Sequence, residues 1–181
     1  MKYNKSLTAF AIIIAAAFSA LAQAPAGKTK PAPGLERKIF KKLIRLPYYG
    51  VFDHITFKVD DGTVTLSGKV AVARNRKDAE SEVKRLEGVR EVINRIEVLP
   101  PSPFDNRIRR RVLQTLATRG MFRYLQEPFP SVRLIVDGGR LVLEGYVANR
   151  GDYNLINVLS SGVSDVFSVR NNLLIEKNFE K

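Results

Sequence analysis

Residues 55–70 read ITFKVDDGTVTLSGKV. Ile55, Phe57 and Val59 alternate with polar residues, Asp61-Gly62 interrupts the pattern, and Val64, Leu66, Gly68 and Val70 resume it. Asp-Gly between two alternating runs predicts a hairpin, because a type I′ turn needs positive φ at both central residues. A two-residue loop sets Asp60 opposite Thr63, Val59 opposite Val64, Phe57 opposite Leu66 and Ile55 opposite Gly68. Opposed residues share a face, so the apolar side chains all fall on one side of the ribbon.

The same pattern returns 77 residues later. Between 55–98 and 132–175, ten of 44 positions are identical without a gap, among them Asp60/Asp137, Gly62/Gly139, Leu66/Leu143, Gly68/Gly145, Val70/Val147 and Asn94/Asn171. The matches sit on apolar, turn and glycine positions, where a shared fold places them. The second hairpin turns at Gly138-Gly139 and sets Val136 opposite Leu141, Leu134 opposite Leu143 and Val132 opposite Gly145. The chain is therefore a tandem repeat, with Pro100-Pro101-Ser102-Pro103 as a short, stiff linker.

Outward from each hairpin the periods change. Arg74 to Leu86 carries Ala79, Val83 and Leu86 at helical spacing, matched by Ile156, Leu159 and Val163. Val92, Asn94, Ile96 and Val98 then alternate as a third strand, as do Val169, Asn171, Leu173 and Ile175. Each Asn is expected near the strand start, bonded to local backbone. Ahead of each hairpin lies another amphipathic stretch. Glu36 to Leu46 gathers Ile39, Phe40, Leu43, Ile44 and Leu46 on one arc and basic residues on the other. Asp105 to Arg119 does so less cleanly, with Asp105 as expected N-cap and Arg109 near the apolar arc. The fold class is α+β: two tandem αββαβ domains, each a three-stranded mixed sheet with two helices on one face and the other face bare. Gly62 and Gly139 serve the turns, while Gly68 and Gly145, on the inward row, are expected to let a helix approach the sheet.

The order αββαβ, with DDGTVTLSGKV at 60–70 and GVREVINRIEV at 88–98, resembles the BON domain. The second copy, DGGRLVLEGYV at 137–147 and VFSVRNNLLI at 166–175, resembles it less closely, since Asp165 stands where Gly88 does in the first. The resemblance spans 35–176. It implies a non-catalytic protein that binds phospholipid surfaces and supports envelope integrity, in some members with chaperone-like activity. A pair of BON domains behind a signal peptide is similar to the osmotically inducible periplasmic members of the family. The family's glycine falls on Gly68 and Gly145.

The N-terminus reads as such a signal. Lys2 and Lys5 precede an apolar run from Leu7 to Leu21, and Ala20-Leu21-Ala22 is a small-x-small cleavage site. The run is shorter than the roughly 20 residues of a spanning helix, so a signal peptide over 1–22 is favoured over a retained anchor. A flexible Pro/Ala/Gly tether over 23–34, a first domain over 35–100 and a second over 104–176 follow. The expected location is periplasmic or secreted.

Charge points to the partner. The 181 residues hold 30 Lys and Arg against 18 Asp and Glu, with one His and no Cys. The lack of Cys excludes disulfides, thiolate metal sites and thiol nucleophiles. No cofactor and no metal are expected. Residues 35–100 carry a net charge of +4, and residues 36–46 alone account for it; 101–181 carry +4, and 105–119 account for that. Each domain's excess thus lies on its first helix. Such a stripe can be merely solvated, but Lys and Arg clustered on an amphipathic helix suit anionic lipid at about 1 kcal/mol per side chain. The candidate residues are Arg37, Lys38, Lys41, Lys42, Arg45, Arg107, Arg110 and Arg111. Anionic phospholipid or a membrane surface is the expected partner, with envelope proteins second and no nucleic acid. The aromatic segments after these helices (Tyr48, Tyr49, Val51 and Phe52; Met121, Phe122, Tyr124, Leu125 and Phe129) are expected mainly as core lids. The competing function is a protein-interaction or chaperone-like role on the open sheet face. Catalysis finds no set of residues to carry it: His54 stands alone, with Ser131 as its counterpart.

Overall fold

The computed structural model describes residues 34–176; the expected signal peptide and most of the tether lie outside them. The first domain runs α1 (Leu35–Leu43), β1 (His54–Asp60), β2 (Thr63–Val70), α2 (Ala73–Lys84) and β3 (Glu91–Val98). The second runs α3 (Pro103–Leu116), two irregular turns, β4 (Val132–Asp137), β5 (Arg140–Val147), α4 (Arg150–Ser161), β6 (Ser168–Asn171) and β7 (Leu174–Ile175). The αββαβ order holds in both copies. The central strand is the second of each hairpin: β2 pairs antiparallel with β1 and parallel with β3, and β5 pairs antiparallel with β4 and parallel with β6 and β7. The last strand of the second copy is broken in two at Asn172-Leu173.

Both hairpins have the expected register at every pair named above. Asp61 and Gly62 take φ of +46° and +76°, and Gly138 and Gly139 take +56° and +75°, as the turn requires. Inward residues of β1, β2 and β3 meet α1 and α2 in one core that includes Ile39, Val64, Leu66, Val83 and Ile96. The second core gathers Ile108, Val112, Leu134, Leu143 and Ile156.

Four local expectations are corrected. Gly68 and Gly145 do not make room for a helix. Their φ values are +121° and +113°, and a Cβ there would stand 2.1 Å from the His54 carbonyl oxygen and 1.9 Å from that of Ser131. The neighbour is the start of the partner strand, and only glycine fits. Asp105 is not the N-cap of α3. Ser102 is, its Oγ accepting from the Asp105 amide at 3.1 Å, with Pro103 in the first turn, where a missing N–H costs nothing. Asp105 instead accepts from the amides of Gly138 and Gly139 at 3.1 and 2.8 Å, tying α3 to the hairpin turn. α1 ends at Leu43, because Pro47 turns the residue before it away from helical geometry. Asn94 sits in the middle of β3: its Oδ1 accepts from the Ile96 amide at 3.1 Å, and its Nδ2 donates to the Arg76 carbonyl at 2.9 Å, fastening α2. Asn171 makes the same two bonds, to the Leu173 amide and the Tyr153 carbonyl. The local backbone bond is present, and the Asn role is structural.

The two copies touch, which the repeat pattern does not foretell. The Leu134 amide on β4 donates to the Val51 carbonyl at 2.7 Å, and Val51 is packed into the second domain's core. Glu127 accepts from the Val51 amide at 3.0 Å. Arg133 donates to the Gly50 carbonyl at 2.7 Å and lies over the Tyr49 ring at 4.5 Å. Lys69 pairs with Asp137 at 2.8 Å, and His54 lies 4.0 Å from Glu144. By register these four side chains occupy the helix-free faces of the two sheets. Ile135, on that face of β4, is only 4% exposed. The face expected to be bare is therefore bare only in part.

Candidate functional site

The first domain's basic side chains converge. With Ile39 and Leu43 turned into the core, helical spacing puts Lys38, Lys41 and Lys42 on the outer face of α1, and Arg45 follows in the turn beyond it. The four line a cleft of about 710 Å³ between α1 and α2, whose other wall includes Asp78, Ser81, Glu82 and Arg85. Basic residues outnumber acidic ones there by five to two. Glu82 takes Lys42 at 2.7 Å and Arg85 at 2.9 Å, and the Lys42 contact holds its carboxyl below the usual value. Asp78 takes Arg74 at 3.3 Å. Lys38, Lys41 and Arg45 are exposed and have no ion pair among the described residues. The cleft thus pre-pairs its acids and leaves three cations facing solvent. Arg37 is exposed on the same helix but does not line the cleft.

The second domain arranges its arginines differently. Arg107, Arg110 and Arg111 share the exposed face of α3. Arg111 bridges to Asp165, and Arg107 lies over the Phe104 ring at 5.6 Å. Arg110 borders a second cleft, of about 750 Å³, with Leu113, Ala117, Phe122 and Leu125. Arg109 points inward and is 5% exposed, donating to the Val136 carbonyl and to Asn106 Oδ1, each at 2.6 Å. Burial lowers its pKa, and this cation works as a core fastener.

The aromatic segments divide. Tyr49, Val51, Met121, Tyr124 and Leu125 are buried lids, as expected, and the Tyr49 hydroxyl accepts from the Ile55 amide at 3.0 Å. Tyr48, Phe122 and Phe129 are more than half exposed. Two polar clusters escape the sequence reading. Asp53 accepts from the Ala71 amide at 2.7 Å, the Gly50 amide at 2.9 Å and Asn75 at 3.1 Å. Burial raises its pKa while these bonds oppose the rise. In the second copy the Tyr124 hydroxyl takes the place of Asp53. It accepts from the Ala148 amide at 3.1 Å and donates to Asp152 at 2.6 Å. The Tyr124 bond is the chief reason the Asp152 carboxyl titrates below its usual value. Asn75 and Asp152 are equivalent in the repeat, and a polar residue one turn before inward Ala79 and Ile156 was the available signal.

A family model, the BON domain, matches residues 33–100 and again 104–177. The chain belongs to the BON-domain family. Among solved structures, this tandem BON-domain chain is similar to two of CdsD, a structural protein of the type III secretion system of Chlamydia trachomatis. One, of the C-terminal domain, has 12% identity, covers 81% of this chain and 99% of that one, and gives a TM-score of 0.33. The other has 13% identity, covers 78% and 92%, and gives 0.32. No curated protein matches the chain. Among the described residues of the BON pair, no helix is long and apolar enough to cross a membrane.

Proposed function

We propose that this BON-domain chain is a non-enzymatic exported envelope protein that binds anionic phospholipid surfaces and so supports envelope integrity. The observation that carries this reading is the α1–α2 cleft, where Lys38, Lys41 and Arg45 stand unpaired beside carboxylates that other cations already neutralise. Three cations along one wall of the cleft suit a headgroup phosphate layer, and each contributes about 1 kcal/mol near such a surface. The family's association with phospholipid and envelope proteins supports the same reading. So does the N-terminal segment, whose cleavage after Ala22 would deliver the protein beyond the inner membrane. The alternative, a chaperone-like module acting through an open sheet face, draws less support, because the contact between the copies occupies part of that face.

Vesicle co-sedimentation of the chain from Gln23 onward tests the reading. Binding is expected on phosphatidylglycerol-containing vesicles and not on neutral ones. It should weaken as salt shortens the screening length. The triple variant Lys38→Glu, Lys41→Glu, Arg45→Glu should bind at least about a hundredfold more weakly, the equivalent of about 3 kcal/mol. Equal binding by the triple variant would remove the cleft from the account.

A further inference from the structure

The repeat lets the two helical faces be compared position by position. In the first domain, Asp78, Ser81 and Glu82 of α2 form the wall facing the basic stripe of α1. The offset of 77 puts Leu155, Val158 and Leu159 of α4 at those positions. One charged wall has become an apolar one. Leu159 is half-buried against the core, but Leu155 is 40% exposed and Val158 is 65% exposed. From Tyr153 to Ser161, α4 carries no charge at all, whereas the matching stretch of α2, from Arg76 to Lys84, carries six charged residues.

The opposite wall has kept its cations. Arg107, Arg110 and Arg111 are exposed on α3, which packs beside α4. Beyond the end of α4, Asp165 is paired with Arg111. Phe167, two residues on, is 71% exposed, and its ring meets Phe104 at 5.6 Å, the same ring that Arg107 covers. This face therefore offers guanidinium groups beside protruding apolar side chains. Exposed apolar side chains rimmed by polar groups are the pattern of an interaction surface. Arginines beside them suit a phosphate layer, into which apolar groups sink while cations remain at headgroup depth.

We propose that the α3–α4 face of the second domain inserts Leu155, Val158 and Phe167 into the interfacial layer of an anionic bilayer, while the first domain's cleft holds headgroups by charge alone. This rests on the lipid-binding reading above and adds a division of labour between the copies: one domain senses charge, the other penetrates.

The chain has no Trp, so one introduced Trp reports its own surroundings. Val158→Trp and, at the equivalent place in the first domain, Ser81→Trp are each made in the chain from Gln23 onward. They are mixed with phosphatidylglycerol vesicles whose acyl chains carry bromine, a short-range quencher. The expected result is that both variants sediment with the vesicles. Only the Val158→Trp emission shifts to the blue and loses most of its intensity. A Leu155→Glu, Val158→Glu double variant is expected to lose the binding that survives high salt, both positions being exposed enough for the fold to tolerate it. If the Val158→Trp protein sediments and stays unquenched, insertion is wrong while lipid binding stands. If the unaltered protein does not sediment, both readings fall. A blue shift that grows with protein concentration in the absence of vesicles assigns the face to self-association and overturns the proposal.

Discussion

Single residues settle more of this fold than their size suggests. Gly68 and Gly145 hold positive φ, and a methyl group at either would run into a backbone carbonyl that cannot move without unpairing a strand. Gly68→Ala should therefore destabilise the protein by at least about 3 kcal/mol, read as a lower urea midpoint. Gly34→Ala is the control. It also sits at positive φ, but nothing lies within 4 Å of the added carbon, so it should cost about 1 kcal/mol, the backbone strain alone. The alternation made the inward position of Gly68 visible in the sequence. It did not show what lies beyond it, because the obstacle is a main-chain oxygen from a residue fourteen positions earlier, and no side-chain pattern encodes that.

At the scale of elements, the hairpins were the most legible part. An Asp-Gly or Gly-Gly pair fixes the turn, the turn fixes the register, and alternation then fixes the face. Helix ends were less legible, because several residues compete for one role. Asp105 and Ser102 are both good caps, and Pro103 decides between them by starting the helix earlier. The consequence is testable. Ser102→Ala removes one cap and should cost about 1 kcal/mol. Asp105→Ala leaves the Gly138 and Gly139 amides without their charged acceptor and should cost about 2–3 kcal/mol. Equal losses in thermal or urea unfolding would mean that Asp105 does not secure the turn. The basic stripe on α1 was readable as a stripe. Its meeting with α2 in a cleft was not, since helix-to-helix distance follows from how both pack on the sheet.

On the scale of the whole molecule, the contact between the copies dominates. It joins groups from remote places: Tyr49 and Gly50 with Arg133, Val51 with Leu134 and Glu127, His54 with Glu144, Lys69 with Asp137. Of these residues only Asp137 is shared by the two copies, so the similarity of the repeats carries no sign of the contact. The contact carries a pH dependence. Burial holds the His54 imidazole below its ordinary pKa of 6.5, Arg133 adding to the fall and Glu144 opposing it. A base lowered in the folded state stabilises it fully above the unfolded pKa and loses that contribution as pH drops below it. Tm should therefore fall between about pH 7.5 and pH 5.5, and His54→Gln, which has no proton to gain, should show a smaller fall. Equal falls in both proteins would place the acid sensitivity elsewhere.

Val51 gives the arrangement a direction. It belongs by position to the first copy and by packing to the second, where it adds roughly 2 kcal/mol of apolar burial. A gene duplication begins with interchangeable halves. Once a turn of one half became a brick in the other, the halves ceased to be spare parts: the first cannot be excised at the linker without leaving a hole in the core of the second, whereas the core of the first borrows nothing in return.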